Sequence, residues 1–386
     1  MIYLDNAAST PVHDQVFQEM IPFLKEQFGN PSSIHRYGRF AQRAIQNARK
    51  QIALLINAQP NEILLTSGGT ESNNTALFGI ASLKKGKHII TSSIEHEAIL
   101  EPCKKLEKEG FRITYLPVND QGTVNPKDVG NSISTDTCLV SIMFANNEVG
   151  TIQPIQEISK ICNQKNIIFH TDAVQAVGKI EVDVKELGID LLSISSHKIN
   201  GPKGVGALYI KNGIKVNPFI YGGGQENGLR SGTENVASIV GFGKACQLAK
   251  DNMMSNNLHL QNLRDELISE VMRQIPHVKL NGHQQKRLPN NAHFTFLGVN
   301  GEDLIIKLDE NGIAASTGSA CSVRVQKESH VLKAMGFSHD QITGSLRLTV
   351  GISNTESEIK RSVEILKKVV DELRAFSPLK EKYGFN

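Results

Sequence analysis

The 386-residue sequence predicts an α/β protein with a mostly parallel, seven-stranded sheet in a large domain and a smaller α+β domain beside it. Three observations carry this reading. Seven short β-branched runs lie between residues 63 and 210, they alternate with helical patterns, and the pattern changes near residue 250. Continuous apolar strands separated by helices describe a sheet covered on both faces.

In chain order the strand candidates are Ile63–Thr66, His88–Ser92, Arg112–Leu116, 138–144, 167–171, Leu191–Ser195 and Gly206–Ile210. Helical patterns fall between them, for example at 98–109 and Ile155–Gln164. Residues 251–257 read as a polar, helix-poor patch, and 258–275 as a long amphipathic stretch. A last helix is expected within 355–376. Thr355 and Glu358 form a capping box there, and Ile359, Val363, Leu366, Val370 and Leu373 recur at helical spacing. The expected large domain is 14–257, and the small one combines 1–13 with 258–386.

Composition excludes several classes. With 39% hydrophobic and 21% charged residues the chain is neither disordered nor collagen-like. A net charge of +3 makes no electrostatic case for nucleic acid or an anionic membrane. No apolar run approaches the roughly 20 residues a bilayer requires. Five cysteines, an odd number with no C-x-x-C pair, suggest neither a disulfide framework nor a metal site. The expectation is a cytoplasmic protein in a reducing compartment, with Cys103, Cys138, Cys162 and Cys246 as small buried hydrophobes.

In parallel sheets, ligands bind at the carboxyl ends of the strands. Three segments stand there. Thr66-Ser67-Gly68-Gly69-Thr70-Glu71-Ser72-Asn73 is a glycine-bearing strand-to-helix turn, suited to a phosphate or to nothing more than a cap. Ser195-Ser196-His197-Lys198 places a lysine where burial could make its amine nucleophilic, although most lysines are solvated. His170-Thr171-Asp172 ends another strand with an acid that could pair with a pyridinium nitrogen or N-cap the next segment. Together they suggest a pyridoxal 5′-phosphate (PLP) site. Cys321 lies among small residues in Ser316-Thr317-Gly318-Ser319-Ala320-Cys321-Ser322, the one cysteine whose setting suits attack on a substrate. The basic run Arg36, Arg39, Arg43, Arg49 and Lys50 reads as a solvated helix face.

Several motifs, in order along nearly the whole chain, resemble the cysteine desulfurases. They are Leu4-Asp5-Asn6-Ala7-Ala8-Ser9-Thr10-Pro11, Gly29-Asn30-Pro31-Ser32-Ser33, Ser67-Gly68-Gly69-Thr70-Glu71-Ser72, Glu95-His96, Asn146-Asn147-Glu148, Ser195-Ser196-His197-Lys198 and Arg230-Ser231-Gly232-Thr233. Ser316 to Cys321, followed by Ser329-His330-Val331-Leu332, is similar to the long-loop group that supplies sulfur for iron–sulfur clusters.

The resemblance implies a fold-type I PLP enzyme, homodimeric, that converts L-cysteine to L-alanine and an enzyme persulfide on Cys321, on a loop at about 316–330. Lys198 would hold PLP as a Schiff base and shuttle protons. Asp172 would face the pyridine nitrogen, Gln175 the ring hydroxyl, and His96 would stack on the ring. Gly69, Thr70, Ser195 and His197 would bind the phosphate, with Thr233 reaching in from the partner subunit. Asn147 and Arg347 would hold the substrate carboxylate. The implied acceptor is an iron–sulfur scaffold protein, with tRNA thiolation a second destination; no metal is implied. The alternatives are another fold-type I aminotransferase or lyase, or a selenocysteine lyase.

Overall fold

The computed structural model describes residues 1–83, 86–318 and 328–377. Its main sheet has seven strands: β2 (Ile63–Thr66), β3 (His88–Ser92), β4 (Arg112–Leu116), β5 (Thr137–Ser141), β6 (Ile168–Asp172), β7 (Leu191–Ser195) and β8 (Gly206–Ile210). Their spatial order is β2-β8-β7-β6-β5-β3-β4. Only β8 runs against its neighbours, pairing antiparallel with β2 and β7. The carboxyl ends of the other six therefore share one edge, where the turns after β2, β6 and β7 collect.

Five of the seven strands have the bounds expected from sequence. The candidate 138–144 is Thr137–Ser141, and 167–171 is Ile168–Asp172. Residues 142–144 are buried and lie beyond the regular strand, although Ile142 N and Phe144 N still donate to the β6 carbonyls of His170 and Asp172 at 3.1 and 2.8 Å. Burial on both faces explains why β3, β5 and β7 carry no Asp, Glu, Lys or Arg: all five residues of each are buried. Side chains such as Phe169, Leu192 and Ile194 each contribute about 1.5–3 kcal/mol by leaving water.

A second sheet is antiparallel, in the order β12-β10-β9: β9 (Val278–Leu280), β10 (Asn291–Phe296) and β12 (Ser345–Thr349). The chain start adds β1 (Ile2–Tyr3), parallel to β11 (Ile313–Ala314). A separate apolar core, including Leu4, Phe294, Phe296 and Leu346, fills the space beneath the helices Met253–Gln274 and Glu356–Ala375. Thr355 and Glu358 form the expected capping box of the last helix, whose Ile359, Val363, Leu366 and Val370 are buried.

Two expectations need correction. Residues 253–257 are helical, because only Asn252 separates Met253–Gln274 from the helix Val236–Asp251. Their polar side chains belong to a solvated first turn rather than to a linker. Arg49 is not part of a solvated face either. Its guanidinium holds the buried Glu226 carboxylate at 2.6 and 2.8 Å, while Arg36, Arg39, Arg43 and Lys50 are exposed. Cys103, Cys138, Cys162 and Cys246 are buried free thiols, as expected. No described helix is long and apolar enough to cross a membrane.

Candidate active site

Both sheets contribute to one cavity of about 800 Å³ at the carboxyl edge of the large sheet. Its lining brings together Gly69, Thr70, His96, Asn147, Asp172, Gln175, Ser195, His197, Lys198 and Arg347. Thr233 is exposed and lies outside this lining. Cys321 falls outside the described residues, but Ser316 and Gly318 before it and Glu328 and His330 after it all line the cavity.

Lys198 ends the short 3₁₀ turn Ser196–Lys198 that follows β7. Its Nζ donates to the carbonyls of Ala7 and Ala8, each at 2.7 Å, and makes no ion pair among the described residues. Burial, then the charge of Arg347, pull its pKa down to about 8. An amine so placed is partly unprotonated near neutral pH and can attack a carbonyl carbon. His197 is pulled to about 4 by burial and nearby lysines, so its imidazole is neutral; Nδ1 meets Ser9 Oγ at 3.2 Å.

Asp172 closes β6, buried beside the lysine. Its Oδ2 accepts from Asn73 Nδ2 at 2.7 Å and its Oδ1 from Val174 N at 3.0 Å. The turn after β2 leads into the helix Gly69–Ala81, whose N-terminal N–H groups are free to meet an anion. Gly69 is dictated by contact: a Cβ there would sit 2.7 Å from Val174 Cγ2. His96 N-caps the helix Glu97–Lys108, its Nδ1 accepting from Ala98 N at 3.0 Å, which fixes the ring at the cavity wall.

Arg347, on β12, is buried across from these groups. Nη1 donates to Asn147 O at 3.0 Å, Nη2 to Asp5 Oδ1 at 2.7 Å, and Nε has no partner among the described residues. Asn146 shapes the neighbouring turn, its Oδ1 accepting from Glu148 N and Val149 N at 2.9 and 3.0 Å.

Residues 2–361 match the class-V aminotransferase family. A cysteine desulfurase IscS from Clostridium botulinum is 52% identical over 100% of this chain and 98% of its own length. This chain belongs to the cysteine desulfurases. Among solved structures, a NifS-like protein superposes with a TM-score of 0.91 at 38% identity, covering 96% of this chain and 99% of the other. SspA in complex with cysteine reaches 0.82 at 37% identity, covering 92% and 100%.

The cofactor of a desulfurase of this family is PLP, and the residues present fit it. A nucleophilic lysine, a buried carboxylate and a glycine-led helix N-terminus converge on one cavity. Asn73 Oδ1 and Arg347 Nε are buried there without partners among the described residues, as expected of groups that await one.

The structure also brings to the surroundings of the site residues to which sequence reading gave no role. Asn73 supports Asp172 from four positions after Gly69, a helical spacing that could have pointed to it. Asp5 braces Arg347 from 342 positions away, and nothing local signals that. Glu95, directly before His96, is fully buried; burial pushes its carboxyl up to about 8. Glu148 accepts from Ser329 Oγ at 2.5 Å and is likewise raised by burial.

Proposed function

We propose that this cysteine desulfurase moves the sulfur of L-cysteine onto Cys321 as a persulfide, leaves L-alanine, and passes the sulfur to an acceptor protein. One observation carries the reading. The described residues on both sides of Cys321 line the cavity that holds Lys198, Asp172 and Arg347.

The roles follow from placement. When bound, PLP supplies an electron sink conjugated to the substrate α-carbon. Lys198 holds it covalently and afterwards moves a proton at the α-carbon, work suited to an amine with a pKa of about 8. Asp172 faces the pyridine nitrogen as a carboxylate oriented by Asn73. His96 stacks on the ring, and Gln175 meets the ring hydroxyl. Gly69, Thr70, Ser195 and His197 take the phosphate, joined by the partner subunit's Thr233. Arg347 and Asn147 hold the substrate carboxylate, a planar guanidinium matching a carboxylate. Cys321 thiolate attacks the substrate sulfur and an S–S bond forms. The C–S bond breaks with its electron pair left on carbon, which takes up protons to become alanine.

The finer features rest on separate supports. A homodimer is favoured by the exposed apolar side chains Phe17, Leu24, Phe28, Ile34, Tyr37 and Phe40 on or between two neighbouring helices, Asp14–Lys25 and Arg36–Leu55. The separate apolar core beneath the second sheet supports a small domain of 1–13 and 258–386 beside a large domain of 14–257. Four buried free thiols suit a reducing cytoplasm. The likeness of the Cys321 segment to the long-loop group supports an iron–sulfur scaffold as acceptor.

The test is incubation with L-cysteine while alanine and sulfide are measured together. Borohydride should fix the cofactor on Lys198. Cys321→Ala should keep the cofactor's colour and lose alanine release. Wild-type turnover in Cys321→Ala, or borohydride labelling of another lysine, would overturn the assignment.

A further inference from the structure

Lys179 lies in no helix or strand, yet it is only 6% exposed. Its Nζ has two acceptors, both on Gln175: the backbone oxygen at 3.1 Å and side-chain Oε1 at 3.3 Å. No carboxylate pairs with it among the described residues. Burying a charge without an opposite charge costs several kcal/mol, so packing alone is a poor reason for a lysine here.

The Gln175 amide supplies a better reason. Its Nε2 donates to Ala7 O at 2.9 Å while Oε1 receives Lys179. A flipped amide would set NH2 against the lysine nitrogen and oxygen against a carbonyl, so both neighbours enforce one orientation. In that orientation the second N–H of Nε2 is left for the active-site cavity, which Gln175 lines. Lys179 itself lines a different cavity, of about 360 Å³. That cavity also touches Lys198, and the Lys179 charge bears on Lys198 and His197, but the hydrogen bonds of Lys179 go to Gln175 alone among the described residues. Both protonation states of the lysine carry N–H, so Oε1 keeps its donor while the amine titrates.

We infer that Lys179 is a positioning residue that locks the Gln175 amide, so that it presents a donor and not an acceptor to the cofactor's ring hydroxyl. This rests on the role proposed above for Gln175. A fixed donor favours the negatively charged form of that oxygen. It should lower the pH at which the bound cofactor's visible band changes.

The experiment compares wild type with Lys179→Met, Gln175→Leu and the double variant. It reads PLP dissociation, the midpoint pH of the visible band, and the melting temperature of the cofactor-free protein. Each single variant should weaken PLP binding about 3- to 10-fold, the value of one hydrogen bond, and move the midpoint upward. The double variant should do no more than either single one. Lys179→Arg, which keeps N–H donors, should retain the wild-type midpoint. The inference fails if Lys179→Met leaves the midpoint in place while Gln175→Leu moves it, and the Gln175 reading then stands. It also fails if Lys179→Met only lowers the melting temperature, or if Arg moves the midpoint as far as Met. If Gln175→Leu moves neither the midpoint nor the affinity, the Gln175 reading itself falls.

Discussion

Glu95→Gln should match wild type in stability at pH 5 and exceed it at pH 9. The side chain is fully buried: Oε1 accepts from Ser92 Oγ at 2.6 Å and from Met143 N at 2.9 Å, and Oε2 has no partner among the described residues. Burial lifts the carboxyl from its ordinary 4.5 to about 8, the two donors hold it down, and Asp172 adds to the rise. The sign follows from which state keeps the proton. Below 4.5 the group is neutral folded and unfolded, so it costs nothing. Between 4.5 and about 8 the folded chain binds a proton that the unfolded chain has lost, so stability falls as pH rises. Above 8 the penalty levels off. At about 1.4 kcal/mol per pH unit, the interval amounts to at most about 5 kcal/mol. Glutamine keeps the Oε1 acceptor and never ionises, while every other titrating group is common to both proteins. Melting temperatures of the cofactor-free proteins, taken from pH 5 to pH 9, should diverge to roughly 10 °C, at about 2–4 °C per kcal/mol. A gap that stays constant across this range would refute the argument, since the carboxyl would then be ionised throughout.

Three other substitutions test the site and its frame. Gly69→Ala drives a methyl against Val174 Cγ2 and should cost about 1–3 kcal/mol and shed PLP on dialysis, with Val174→Ala in the same chain restoring both. Arg347→Lys loses the guanidinium fork and should raise KM for L-cysteine about 10- to 100-fold with kcat within a few-fold, checked by steady-state kinetics. Glu226→Gln leaves the Arg49 charge buried without its partner and should cost about 3–5 kcal/mol. Adding Arg49→Met should recover part of that loss in a thermal melt.

The sequence by itself marked most of the elements and the residues that stand at the strand ends. The strands were legible because a strand buried on both faces excludes charged side chains and favours aliphatic and β-branched ones, and the last helix because Thr355 and Glu358 cap it locally. Lys198, Asp172 and the Gly69 turn were legible because the carboxyl end of a parallel strand is a place the chain itself marks. Asn147 and Arg347 came from likeness to a family, since their own surroundings say nothing of substrate. Tertiary structure decided the rest. Whether Arg49 faces water or Glu226, whether Asp5 braces Arg347, and how Lys179 turns the Gln175 amide are matters of which chain segments fold against each other. Arg36 and Arg49 lie on one helix, yet the first is solvated and the second grips a carboxylate 177 positions away. The reason is range. Hydrogen-bonded periodicity and turn preferences act over a few residues and leave a local pattern, whereas burial and charge pairing depend on neighbours in space that residue order does not record.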